Sequence, residues 1–296
     1  MNLIGSYNNG TYKVYLWDDG TKVREAPNDV FEADRPECID VGISTKCNNK
    51  CLYCYMGANP DGEWADFNRY KFLDNLPEYL EVNINLNFPI NPDLKEFLER
   101  MKKQKVVVNA TINAKHLIKR QDYVKELSRA GLIHGLGVSY SANCIDETLK
   151  IMAEIPNTVM HVIAGCFTKK DLKKLRNKNL KLLILGYKNI GRGDNFYKTC
   201  RQLIDDSMAW LKDELPKMVN DFALISFDNL AIEQLHVKDW VDAEAWEERY
   251  LGEDAQTSFY IDLVRGFYAP SSLSDDHRDI GNKTLQEMFN DIRSNT

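Results

Sequence analysis

The sequence predicts an α/β protein: a partial parallel (β/α)6-type barrel, preceded by a small β meander and followed by an irregular C-terminal extension. Three observations carry this expectation. Short apolar runs alternate with longer amphipathic segments through residues 31–235, which is the rhythm of βαβ units in a parallel sheet. At least six such units follow one another, which suits a barrel better than two Rossmann-like halves. The rhythm is absent from residues 1–30 and from 236–296, which sets the meander and the extension apart.

In chain order, "TYKVYLW" alternates, is rich in aromatic and β-branched residues, and lies between the hairpin signals "NNG" (8–10) and "DDG" (18–20). "CIDVGIS" (38–44) reads as the first barrel strand. Further strands are expected at 81–88, 105–113, 135–141, 158–165, 180–187 and 222–228. Between them, "NPDLKEFLERMKK" offers Asn91 as an N-cap before Pro92. "KRQDYVKELSRAG" places Gly131 at a C-cap. A long helix over 201–219 precedes the last strand. Barrel chemistry sits on loops at the C-terminal strand ends. The rim is therefore expected at 85–87, 109–111, 139–141, 161–165 and 186–187.

A net charge of −6 argues against general nucleic-acid or membrane-surface binding. The basic run "KKDLKKLRNKNLK" (169–181) reads as the solvated face of a helix. No apolar run approaches the ~20 residues that span a bilayer, and "MNLIGSYNNGTYK" lacks the pattern of a signal peptide. Cys38, Cys144, Cys166 and Cys200 are scattered, unlike a secreted disulfide framework. A cytoplasmic location is expected.

The other three cysteines stand together in "STKCNNKCLYCYM", as Cys47, Cys51 and Cys54, just past the first strand. A structural zinc site wants four ligands, and only Cys51 and Cys54 form a C-x2-C pair here. A redox C-x-x-C pair would not need Cys47. Three thiolates suit a [4Fe–4S] cluster with one iron left open to a small molecule.

The stretch "CNNKCLYCY" resembles the cluster loop of the radical S-adenosylmethionine (radical SAM) enzymes, C-x3-C-x-aromatic-C. The resemblance covers roughly residues 38–228. It implies that Cys47, Cys51 and Cys54 each ligate one iron, and that the fourth iron chelates S-adenosyl-L-methionine. Tyr53, in the aromatic position, would sit near the adenine. Reductive cleavage would then give a 5′-deoxyadenosyl radical that abstracts hydrogen from a substrate. That substrate is left open as peptide, nucleotide or small metabolite. Also implied is an electron donor such as flavodoxin or ferredoxin.

The family's Gly-Gly-Glu-like motif is missing. In "NINLNFPINPDL", Asn85, Leu86 and Asn87 stand in its place, and Asn85 and Asn87 are candidates for the lost cofactor contacts. This departure keeps open a degenerate iron–sulfur or metal-binding protein that acts by binding a partner. Ser139 and Ser141 are candidates for the ribose hydroxyls, or else satisfy local backbone. Ile163, in "HVIAG", would pack on adenine or be plain core. In "GYKNIGRG", Lys188 and Arg192 offer cations to a carboxylate or phosphate and the glycines allow close backbone approach, or else the segment is an ordinary tight loop. "FYIDLVRGFYAPSS" (259–272) faintly resembles the hairpin of an auxiliary-cluster extension, with serines where a ligand would be.

Overall fold

Alternation of residue type fixes which face of each strand is covered. In β5 (Glu81–Leu86), Val82, Ile84 and Leu86 are buried while Glu81, Asn83 and Asn85 point to the other face. The same division runs through β4 (Cys38–Gly42) and β6 (Val107–Asn113). Parallel strands packed on both faces usually read as unbroken apolar runs. Here one face packs under helices and the other is polar.

The structure is a computed structural model that describes residues 1–250 and 252–294. β1 (Leu3–Asn9), β2 (Tyr12–Trp17) and β3 (Lys22–Glu25) form a three-stranded antiparallel sheet. The remaining strands form one ten-stranded, mostly parallel sheet. β4, β5, β6, β7 (Gly135–Ser139), β8 (Thr158–Ile163), β9 (Lys181–Leu185) and β10 (Leu224–Phe227) lie side by side in chain order, all parallel. β11 (Ser258–Asp262) adds a parallel strand on the free edge of β4. β12 (Phe267–Ala269) and β13 (Arg278–Asp279) continue antiparallel beyond it. The segment after residue 236, expected to be irregular, therefore extends the main sheet. Its pairing partner, the edge of β4, lies more than 200 residues away and is invisible to local pattern.

The helices take their places by periodicity and caps. α1 (Leu94–Lys103) buries Leu94, Phe97, Leu98 and Met101, a single stripe at helical spacing. Its N-cap is Asp93, not Asn91, which instead accepts from the Asp93 N–H and donates to the Ala65 carbonyl. α2 (Ala114–Arg129) starts earlier than expected because Asn113 caps it, accepting from the Lys115 N–H at 3.0 Å. Gly131 follows its C-cap in a left-handed conformation, φ +63°. α3 (Ile145–Met152), α4 (Lys169–Leu175) and the long α5 (Arg192–Met218) complete the crossovers, and α5 begins nine residues before the expected start. α6 (Asn229–Gln234), α7 (Ala243–Arg249) and α8 (Leu285–Arg293) follow.

The large sheet is open, since β10 and β13 each have only one strand neighbour, but it curls. β9 and β12 are seven strand spacings apart, about 34 Å in a flat sheet at ~4.8 Å per strand. Yet Lys188, just past β9, donates from Nζ to Ser272 Oγ, just past β12, at 2.7 Å. The small sheet says the same from below. Asp19 accepts from Lys181 at the start of β9, while Lys22 pairs with Glu37 and Glu81 before β4 and at the start of β5. The polar face is thus the inside of the curl, with the meander under its N-terminal end. No helix among the described residues is long and apolar enough to cross a membrane.

Candidate active site at the C-terminal rim

The cysteine loop leaves β4 at its C-terminal end and is held from several sides. Asn85 accepts from the Ile43 N–H (3.0 Å) and donates to the Ser44 carbonyl (3.0 Å), and Asn87 donates to that same carbonyl (3.0 Å). These two asparagines thus brace the root of the loop. Farther along, the Cys47 N–H donates to the Asn59 carbonyl. Asn48 is gripped by the Phe88 carbonyl and, at 2.8 Å, by His116 Nε2. Burial holds the His116 imidazole below its ordinary pKa, so it meets Asn48 as a neutral ring.

The strongest brace comes from the start of α5. Arg192 donates from its backbone N–H to the Cys54 carbonyl (3.1 Å), from Nε to the Cys51 carbonyl (2.8 Å) and from Nη1 to the Ala58 carbonyl (2.8 Å). Gly191, at φ +59°, brings its backbone so close that a Cβ would stand 2.2 Å from the Tyr55 carbonyl oxygen. Gly191 and Arg192 of "GYKNIGRG" thus lie against the cysteine loop, while Gly186 lies against Leu230 and Ala231.

Cys47 is buried, and Cys51 and Cys54 are half-buried. Burial pushes the Cys51 thiol up, and the neighbouring Cys54 and Cys47 push it further, against Arg192 and Lys115. Both of the other loop thiols thus act on Cys51. Asn49 also offers Nδ2 to Cys51 Sγ at 3.1 Å. Among the described residues, no three His, Cys, Asp or Glu side chains are gathered to hold one metal ion.

Beside the loop is a cavity of about 300 Å³, at the small end of the range for small-molecule sites. Residues 49–53 form one wall. Asn113, Lys115, residues 140–142, Cys166 and Asp171 form the other, from the tips of β6, β7 and β8 and from α4. Burial lifts the Tyr53 phenol to about 12, with Cys51, Cys166 and Cys54 adding to it. Tyr140 donates to Asp171 at 2.6 Å, and Thr168 donates to the same carboxylate from both its N–H and its hydroxyl. This part of the wall is locked.

Of the residues singled out in the sequence, Cys51, Tyr53 and Ser141 line this cavity. Asn85 and Asn87 lie under the loop. Ser139 faces His161 across β7 and β8. Ile163 ends β8 beside Leu185 of β9. Lys188 stands over the ring of Tyr55, 4.3 Å from its centroid, on the way to Ser272. β6 runs on to Asn113, so Asn113 and Lys115, rather than residues 109–111, form that part of the rim. Cys166 was the wall residue hardest to foresee. Its signal was its place just after a strand end, which a count of scattered cysteines ignores. Against known proteins, the chain matches no family model and no curated protein.

Proposed function

We propose that the chain is a radical SAM enzyme and that its curled sheet is a partial β/α barrel. The observation that carries this reading is a three-thiol loop seated on the C-terminal rim of a parallel sheet, with Cys51 and Tyr53 facing a small-molecule cavity. Three thiols on one braced loop are the kind of donor such a cluster takes, although among the described residues they are not gathered into a metal-holding group. Cys47, Cys51 and Cys54 would hold a [4Fe–4S] cluster, which would pass one electron from an external donor to S-adenosyl-L-methionine, splitting its C–S bond into methionine and a hydrogen-abstracting 5′-deoxyadenosyl radical. Arg192 fixes the loop that carries the thiols. Tyr53 gives the ligand an apolar wall, and Lys50 and Lys115 favour an anionic group in the cavity.

A second reading is a cluster protein without radical catalysis, and one observation favours it. Asn85 and Asn87, standing where Gly-Gly-Glu is expected, spend their side chains on the root of the cysteine loop. The deciding experiment is anaerobic reconstitution, reduction with dithionite in the presence of S-adenosyl-L-methionine, and assay for 5′-deoxyadenosine, with Cys51→Ala as control. Formation of 5′-deoxyadenosine by the parent alone supports catalysis. Its absence, with the reduced cluster's paramagnetic resonance spectrum unmoved by the cofactor, gives the case to the second reading.

A further inference from the structure

Below the rim, the inner face of the sheet carries polar side chains set in register. Asn109 of β6, Asn83 of β5 and Asp40 of β4 are lateral neighbours. Asn109 Nδ2 donates to Asn83 Oδ1 (3.1 Å). Asn83 Nδ2 donates to Asp40 Oδ1 (2.9 Å) and to Cys38 Sγ (3.1 Å). With these donors aimed toward β4, Asn109 Oδ1 and Asp40 Oδ2 are left as open acceptors. Asp40 has no ion-pair partner within 4 Å among the described residues. Lys188 acts on it from farther away, while its own Nζ is on Ser272. Asp40 itself is exposed, between the buried Ile39 and Val41.

The neighbouring strand makes room. A Cβ on Gly135 would stand 2.7 Å from Asn109 Oδ1, and one on Gly137 would stand 2.1 Å from the His161 ring. The amide from β6 and the imidazole from β8 thus lean toward each other over a bare stretch of β7. His161 Nδ1 is buried with no hydrogen-bond partner, a costly state for a polar atom unless something supplies the partner.

We propose that this face binds a small molecule through a protonated amine, with Asp40 as counter-ion and Asn109 Oδ1 and His161 as further contacts. The reason is charge balance. Asp40 accepts one amide hydrogen bond and has no cation within ion-pair distance among the described residues, so a protonated amine would meet a carboxylate that is not already paired. Beside it, Asn109 Oδ1 is an acceptor that no hydrogen bond in the row uses. Burial drives His161 down to about 4, so near pH 7 it is a neutral ring with one acceptor and one donor nitrogen. Naming this ligand as the enzyme's substrate rests on the function proposed above. Amine binding as such does not.

The test uses the full chain without reductant or cofactor. Ethylammonium and ethanolamine are titrated against 1-propanol and propionate. Binding is followed by NMR on the His161 ring resonance, assigned with His161→Gln. The ammonium probes are expected to shift it saturably, the other two to leave it in place, and Asp40→Asn to weaken the ammonium response about tenfold or more, one decade being about 1.4 kcal/mol. Propionate binding as well as the amines, no saturable shift, or an unchanged response in a folded Asp40→Asn would each overturn the proposal. Should Asp40→Asn fail to fold, Asn109→Asp must tighten ammonium binding, and failure to do so overturns it equally. Absence of 5′-deoxyadenosine in the separate assay would sink the rim assignment and leave this result standing.

Discussion

The two ends of the curled sheet treat polar groups in opposite ways. At the N-terminal end, under the meander, nearly every buried polar atom has a partner. Glu37, 1% exposed, is held by Lys22, Arg24 and the Tyr12 hydroxyl. Asn9 uses both ends of its amide on Tyr12, Arg35 and Asp34. The Tyr7 hydroxyl is the exception, its ring lying under the Arg35 guanidinium. Toward the C-terminal end stand three thiols, an unpartnered imidazole nitrogen and a carboxylate without a counter-ion. Satisfied burial specifies and stabilises a fold, whereas unsatisfied capacity held in place is what a ligand can use. The sheet is closed from below and chemically open from above.

The largest contrast should come from the thiols. Alanine at Cys47, Cys51 or Cys54 is expected to take reconstituted iron from about four atoms per chain to none, while alanine at Cys38, Cys144, Cys166 or Cys200 leaves it in place. Iron and sulfide analysis checks this. A parent chain that binds one zinc and no cluster would remove the chemistry from the rim altogether.

At the other end, Glu37→Gln is expected to cost about 3–5 kcal/mol in urea unfolding, because it leaves Lys22 and Arg24 facing a neutral group, with iron content per folded chain unchanged. The same site sets a pH dependence. Burial pushes the Glu37 carboxyl up, but Lys22, Arg24 and the hydrogen bonds outweigh it, and the net position is below the ordinary value. A depressed carboxylate contributes stability above its unfolded pKa of about 4.3 and loses it as pH falls through the lower folded value. The parent should therefore lose stability more steeply than Glu37→Gln below about pH 4.3. Parallel acid limbs would break the contrast between the two ends.

A smaller effect is expected at Gly191→Ala. The added Cβ meets the Tyr55 carbonyl at a left-handed φ, which displaces the cysteine loop at a cost of about 1–3 kcal/mol. Cluster retention on exposure to a chelator should fall, and the unfolding midpoint should fall with it by the amount that this cost implies. Smallest of all is Ser272→Ala, which removes one hydrogen bond across the curl. Its expected cost is about 0.5–1.5 kcal/mol in unfolding. A larger loss would mean that the Lys188 tie, rather than the strand ladder, keeps the sheet curled.

What the sequence determined by itself is whatever depends on near neighbours. The alternation of Val82, Ile84 and Leu86 with asparagines is local, and so is the stripe of α1. The spacing of Cys47, Cys51 and Cys54 is local too, and it fixes that three thiols share one loop. The meander was legible from its turn residues. Tertiary structure decided everything that required distant segments to meet. β11 pairs with β4 across more than 200 residues, and no periodicity announces that. Arg192 carries a charge that suits an anion, yet two loop carbonyls claim its guanidinium, because α5 begins beside the cysteine loop in space and not in sequence. Asn85 and Asn87 are candidates for cofactor contacts by position, and only the structure shows that their amides also hold the root of the loop, the nearest backbone to them. The pairing of Asp40, Asn83 and Asn109 was decided by strand register, which aligns single residues from three strands into one row.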